Sequence, residues 1–299
     1  ALMAVVAYWL ISADFRPGYM RIFLDQVWYA VLYVYDFFYR APWFEPSQFL
    51  DHFWSLSVEE QFYIVWPLLL LLVPQKHLKR LFLSFIVLAV VFRVLLYLWY
   101  LSGSSLWVFR EPFGLVVYAL PFSHLDAFAF GAYISRYPIW RPKAQLLFLA
   151  LLVPAVGFAS TYFATGSIGL VSALGYDSSL AAGYQFIWAH TLLNYFFAVL
   201  IYCVVREKIL VRFLDVPWLR YLGKISYGMY VYHLALIWFV WNLVDEHIQS
   251  EMAYWIKVVV ALSATVFIAT LSYYFLERPI LNLKDRFFSW SRAPDEKPG

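Results

Sequence analysis

The chain has 299 residues, 64% hydrophobic and 14% charged, with a formal net charge of +3 and a mean hydropathy of +0.68. A water-soluble domain carries about 45–50% apolar and about 25% charged residues; no core of this size could bury the excess, so the solvent must be lipid. That excludes a soluble enzyme, and the absence of ten-residue alternating segments excludes a membrane β-barrel.

The expected class is therefore an all-α, polytopic transmembrane helix bundle. Residues 1–13 are apolar from Ala1 onward and read as the end of a helix whose start is missing. Residues 23–39, "FLDQVWYAVLYVYDFFY", are short, aromatic and carry Asp25 and Asp36, which suits an interfacial or re-entrant piece. A spanning helix needs about 20 mostly apolar residues. Seven further segments meet that requirement: 54–73, 82–101, 116–134, 146–164, 186–205, 225–243 and 254–276. With the first fragment they make eight spans. Residues 1–285 read as one integral-membrane domain and 286–299 as a disordered tail. The single cysteine, Cys203, lies in an apolar run and suits a small core position.

The connections fix an orientation. With the C-terminus cytoplasmic, the inner connections are 74–81, 135–145, 206–224 and the tail from Glu277, and they hold 16 of the 22 Lys and Arg residues but only 6 of the 19 acids. This is the positive-inside pattern, and it requires 23–39 not to cross. The 14 Trp and 24 Tyr residues suit interfacial belts. Nothing in the charge balance points to nucleic acid.

Ionisable residues inside a membrane are costly, and each marks a functional position. Arg93 in "AVVFRVLLYLWY" and Asp126 in "SHLDAFAFGAYIS" fall near the middle of consecutive antiparallel spans. At the rise of a helix they lie roughly 12–17 Å from the cytoplasmic boundary, with His124 and His233 at a similar depth. Arg93 and Asp126 can pair with each other, yet a buried pair adds little stability, so a polar chamber is expected there. Ser226, Tyr230 and His233 follow i, i+4, i+7 and share one helical face, beside Gly228, which allows close helix approach. That stripe serves either interhelical hydrogen bonding or a substrate. His190 is set aside as interfacial.

The stretch from Phe49 to Val73, "FLDHFWSLSVEEQFYIVWPLLLLLV", concentrates polar groups at the mouth of a span. Ser57-Val-Glu-Glu60 fits a capping box, with Glu60 reaching back to Ser57. Glu59 and Tyr63, at i, i+4, share a face, and His52 is placed to fold back towards Glu59 as a proton relay or substrate clamp. No metal-ligand spacing, nucleophile elbow or phosphate-binding loop is present.

"HFWSLSVEEQFYIVWPLLLLL" resembles the signature of the acyltransferase family 3 membrane proteins, and "HLDAFAFGAYIS", "ISYGMYVYHLALI" and "YYFLERPI" agree with it in order. The resemblance implies a ten-helix bundle that O-acylates carbohydrates with an acyl group, commonly acetyl, from cytoplasmic acyl-CoA. It also implies an arginine and a catalytic histidine on a first helix that this sequence does not contain, so the chain reads as a fragment lacking two helices and inactive alone. Where members place arginine before Leu-Asp-Ala, this chain has His124. On this reading the phosphates of CoA meet Lys76, Lys79, Arg80, Arg136 and Arg141, and a sugar or cell-surface glycan enters by the His52/Glu59 mouth. Glu60, Arg93, Asp126, Tyr230 and His233 take the remaining site roles. Pro279 closes the last helix, with Glu277 and Arg278 as an exposed pair. A multi-pass transporter or flippase for a glycolipid or acyl intermediate, and a catalytically silent family member, are the rival readings.

Overall fold

In the computed structural model the described residues are 8, 11, 14, 17–104, 109, 112–176, 183–244 and 251–289. Apart from Tyr8 and Ile11, the expected helix at 1–13 lies outside them, as does the tail from 290. The described residues form helices and no strand. The chain divides into two compact units, Ala1–Val211 and Arg212–Gly299.

The first unit opens with α1 (Pro17–Val31) and the single turn α2 (Tyr35–Phe38). Fifteen residues span only about 22 Å, short of a hydrocarbon core of about 30 Å, so α1 is not by itself long enough to cross a membrane. The irregular backbone of this piece needs side-chain partners to be satisfied. Gln26 supplies them: its Oε1 accepts from the Tyr35 hydroxyl at 2.9 Å and from the Ser47 backbone N–H at 2.8 Å. Burial pushes the Asp36 carboxyl up to about 6, although Gln61 donates to it, and pushes the Tyr39 phenol up to about 12.

Four long helices follow: α3 (Phe53–Leu72), α4 (Leu78–Leu101), α7 (Pro142–Thr165) and α8 (Gln185–Val205). Between α4 and α7 the expected span at 116–134 is broken. It consists of α5 (Phe113–Ala119), a 3₁₀ turn (Pro121–His124) and α6 (Leu125–Arg136), bent by 74°. The cause is Pro121. It has no N–H to extend α5, and its ring holds Leu120 in the extended region at φ −80°, ψ 137°. Helix α4 packs on α6 and α8, and α8 on α6 and α7. Ala89, Ala129 and Ala189 are fully buried at these contacts, where small side chains let helices approach closely.

The capping box at Ser57 does not form. Helix α3 starts four residues earlier, at Phe53, and the fully buried Ser57 hydroxyl donates to Phe53 O at 3.0 Å and accepts from the Tyr35 N–H at 3.2 Å. Ser57 therefore joins α2 to α3 instead of beginning a helix.

In the second unit, α9 (Pro217–Val244) packs along α10 (Glu251–Ser272). A Cβ on Gly228 would sit 3.2 Å from Ala269 Cα, the close approach expected of that glycine. Pro279 does not end the last helix. A π-helical turn at Tyr273–Glu277 absorbs the change in hydrogen bonding, and Pro279 enters the first turn of α11 (Arg278–Ser289), where a missing N–H costs nothing. Glu277 accepts from Ser272 Oγ at 3.3 Å and Arg278 lies over the Tyr274 ring, so the exposed Glu277–Arg278 pair is absent among the described residues. Among the described residues, five helices are long and apolar enough to cross a membrane, six if the bent pair counts as one span. Helix α9 is not among them.

Candidate functional site

Arg93 and Asp126 meet as expected. Both are 0% exposed, and Arg93 Nη2 lies 2.8 Å from Asp126 Oδ2. The remaining partners were not foreseen. Arg93 Nη1 donates to Ile187 O at 3.0 Å and to Thr191 Oγ1 at 2.8 Å, and Nη2 also donates to Ser123 O. Asp126 in turn accepts from Thr191 Oγ1 at 2.5 Å, from Asn194 Nδ2 at 3.0 Å and from the Ala127 N–H at 2.8 Å. The pair is thus nearly saturated by α8 and by the 121–124 turn, and it ties α4, α6 and α8 together. Thr191 and Asn194, at i, i+3, form the polar stripe of an otherwise apolar helix; that spacing was the signal available in the sequence.

Beside this pair lies a cleft of about 340 Å³, lined among others by Trp54, Ser55, Glu59, Tyr63, Tyr118 and His124. Its volume is in the range of small-molecule sites, about 300–1,000 Å³. Glu59 and Tyr63 are exposed and bonded to each other, the phenol donating to Glu59 Oε1 at 2.7 Å. His52 packs edge-on against Phe53, with ring centroids 4.8 Å apart, and is not among the lining residues. Glu60 is half-buried one position away.

An aromatic ladder forms one wall. The Trp54 ring stacks at 6.1 Å on His124, Tyr118 meets His124 edge-on at 5.5 Å, and Tyr118 stacks at 4.8 Å on His190. His190, set aside as interfacial, is half-buried in this ladder. Phe62 and Phe128, which also line the cleft, stack with centroids 3.7 Å apart and planes 7° apart. Beyond it runs an apolar groove of about 570 Å³.

The basic residues cluster at the other end of α3 and α4. Lys76, Lys79 and Arg80 are exposed around the start of α4, and Arg136 reaches them by donating to Gln75 Oε1 at 3.0 Å. Lys79 lies over the Tyr137 ring at 5.9 Å. Arg141 is farther along the chain, in the left-handed region at φ 43°, with its guanidinium 4.6 Å from the Trp140 ring.

Tyr230 and His233 belong to the second unit. There they line a cleft of about 560 Å³ with Ser226 and Thr265. His233 Nδ1 lies 2.6 Å from Tyr230 O, and Ser226 Oγ donates to Gly223 O at 2.9 Å.

Apolar spans enclosing a nearly saturated charge pair beside a polar cleft define a multi-pass membrane protein with an intramembrane polar site. The comparisons narrow that class. The family model described as an acyltransferase domain, acyltransferase family 3, matches residues 1–274, and the chain belongs to this family. It is 24% identical over 291 residues to the O-acetyltransferase OatA of Staphylococcus aureus, covering 94% of this chain and 43% of that protein. A putative O-acetyltransferase of the same species is also 24% identical, covering 87% of this chain and 42% of its own length. The chain thus spans less than half the length of these relatives. No solved structure matches.

Proposed function

We propose that the protein is a membrane O-acyltransferase that moves an acyl group, acetyl in the simplest case, from acyl-CoA to a hydroxyl of a carbohydrate or cell-surface glycan. The reading is supported by family membership and by the names of the relatives. The observation that carries it in this chain is the Glu59–Tyr63–His124 cleft, set against the Arg93–Asp126 pair inside apolar spans.

The chemistry is attack of an alcohol oxygen on a thioester carbonyl. An O–C bond forms, the C–S bond breaks, and the alcohol proton must leave. It requires a hydrogen-bonded seat for the alcohol, a proton acceptor and an electrostatically stabilised carbonyl oxygen. The Glu59 carboxylate and Tyr63 phenol hold sugar hydroxyls at the mouth. Arg93 and Asp126 have spent almost all their hydrogen-bonding capacity on one another and on α8. Their part is therefore to position the 121–124 turn that carries His124, instead of touching the substrate. His52 and Glu60 support the mouth from the first turns of α3; Tyr230 and His233, which line a cleft of their own in the second unit, are further hydrogen-bonding groups for the transfer.

Acyl-CoA is too polar to cross lipid, so it docks from the basic face. Lys76, Lys79, Arg80 and Arg136 receive its phosphates, with Arg141 beside them; arginine forks suit phosphate oxygens. That face is cytoplasmic and the membrane is the plasma membrane, in keeping with the basic inner connections.

The test is to supply membranes containing the protein with acetyl-labelled acetyl-CoA and to follow label into alkali-labile ester on glycan. Ester formation that depends on the protein supports the enzyme. Movement of label across the membrane with no ester formed would establish the transporter in its place.

A further inference from the structure

We propose that residues 166–176 form a re-entrant hairpin whose exposed apolar side chains lie among lipid acyl chains, in the half of the bilayer away from the basic residues at the start of α7. The proposal rests on the multi-pass membrane class and on no step of the acyl transfer.

The composition of the segment suits lipid. From Ala144 to Tyr176 there is no Lys, Arg, His, Asp or Glu, although α7 itself ends at Thr165. An aqueous connection between two spans is ordinarily polar; this one reads "GSIGLVSALGY". Gly166 stops the helix in the left-handed region at φ 71°, with its N–H bonded to Tyr162 O at 2.8 Å. The chain then reverses into a 3₁₀ turn, Leu170–Leu174.

Contacts with α7 fix the depth of the returning chain. A Cβ on Gly157 would overlap the Ala173 carbonyl, and one on Gly175 would overlap Thr161 Oγ1. Ser160 Oγ donates to Gly175 O at 3.0 Å, and the Tyr176 hydroxyl donates to Val153 O. At the helical rise α7 is about 36 Å long, with Gly157 about 12 Å and Val153 about 18 Å from its C-terminal end. Only about 6 Å of that length exceeds a hydrocarbon core of about 30 Å. Even with the whole excess placed at the C-terminal end, Ala173 lies about 6 Å inside the core and the Tyr176 hydroxyl about 12 Å. The polar residues Thr165 and Ser167 fall at the tip, where Thr165 Oγ1 donates to Ser167 O at 3.1 Å.

Irregular backbone at such depth needs partners within the protein. The Gly169 N–H donates to Ser172 Oγ at 2.8 Å, the Ser172 N–H to Gly169 O at 3.0 Å and the Gly175 N–H to Ser172 O at 2.9 Å. Tyr176 is buried against Val153 and Ala189, which hides its phenol from lipid. What the hairpin shows outward is apolar. Leu170 is 97%, Val171 81% and Leu174 76% exposed, and with Ile168 they extend the exposed surface of Tyr162 and Phe163 on α7. An apolar patch of this kind marks a membrane or protein contact. Lipid is the occupant, because the patch continues the lipid-facing surface of a spanning helix and lies at that helix's depth.

Single-cysteine variants of the whole protein in liposomes test this, with Cys203 replaced by alanine. Leu170→Cys and Val171→Cys carry a bimane label, and Ser102→Cys, exposed at the end of α4 on the same side as the end of α7, is the aqueous control. Leu170→Cys and Val171→Cys should lose emission to lipid spin-labelled on its acyl chain and keep it in iodide; Ser102→Cys should do the reverse. Before labelling, a membrane-impermeant maleimide should modify Ser102→Cys in intact liposomes, and the other two only after detergent is added. Maleimide modification of Leu170→Cys and Val171→Cys at the rate of Ser102→Cys would make the segment an aqueous loop and overturn the proposal. Protection from maleimide without quenching by the labelled lipid would place protein, a second copy included, over the patch and overturn it equally. Melting temperatures matching the unaltered protein's show that the variants fold; Ile168→Cys, on the same exposed surface, gives the same readout should either of them not.

Discussion

Replacing Asp126 by alanine leaves the Arg93 guanidinium, wholly buried, without its counter-charge. Arg93 Nη2, Thr191 Oγ1 and Asn194 Nδ2 lose the acceptor they share. Removing one member of a buried ion pair costs about 3–5 kcal/mol, whereas replacing both by apolar side chains is often neutral or better. The double substitution Arg93→Met/Asp126→Leu still strands Thr191 and Asn194, at about 1 kcal/mol for each unsatisfied group. It should therefore sit roughly 1–2 kcal/mol below the unaltered protein, well above Asp126→Ala. Heat-induced unfolding in detergent, followed by tryptophan emission, measures the order. Acyl transfer on the same samples measures function. The double variant should fold yet lose at least about ten-fold in transfer, because Ser123 O, next to the cleft histidine, loses its Arg93 clamp. Equal destabilisation of single and double variants, or an unchanged melting point for Asp126→Ala, would refute this reasoning.

Glu59→Gln should insert and melt normally, because Glu59 is exposed and bonded to the Tyr63 phenol, yet lose most transfer; full activity would remove Glu59 from the site. His233→Ala should reduce transfer without unfolding the α9–α10 pair, and unchanged kinetics would make it a packing residue. A Cβ on Gly157 would run into the Ala173 carbonyl, so Gly157→Ala should lower stability by about 1–3 kcal/mol, read as a fall in melting temperature. Burial raises the folded-state pKa of Asp36 from 3.8 to about 6. The folded protein then holds a proton that the unfolded chain releases, so this stabilisation is complete below about pH 4 and is lost as pH rises through about 6. Hydrogen exchange at the α1–α3 junction should quicken across that window, by up to roughly 3 kcal/mol in opening free energy. Asp36→Asn should abolish the dependence.

Much of this architecture was legible in the residues. Apolar length gave the long helices, and isolated charges in consecutive spans gave the Arg93–Asp126 contact, because in lipid a charge must find a partner. Gly228 marked a close helix crossing for the reason expected, the lack of a Cβ. The misreadings share a cause: short polar or proline-containing pieces were judged locally while tertiary contacts decided them. Ser57 looked like a helix cap, but the backbone of Tyr35, 22 residues earlier, uses its hydroxyl. Pro121 lay in the middle of an expected span and was a visible break signal; its consequence, the turn that aims His124, needed the fold. Pro279 was read as a stop, and a π turn accommodated it. Thr191 and Asn194 carried only the weak signal of their i, i+3 spacing, and Tyr118 carried none, because each is ordinary in an apolar helix. Only the spatial neighbourhood of Arg93 and His124 gives them a role.

Sealed vesicles of known orientation, given acetyl-labelled acetyl-CoA only on the face bearing Lys76, Lys79 and Arg80, test the central claim most directly. The account predicts ester-linked label on glycan at the opposite face, abolished by Glu59→Gln. Label esterified only on the face of addition, or crossing as unreacted acetyl donor, would contradict it.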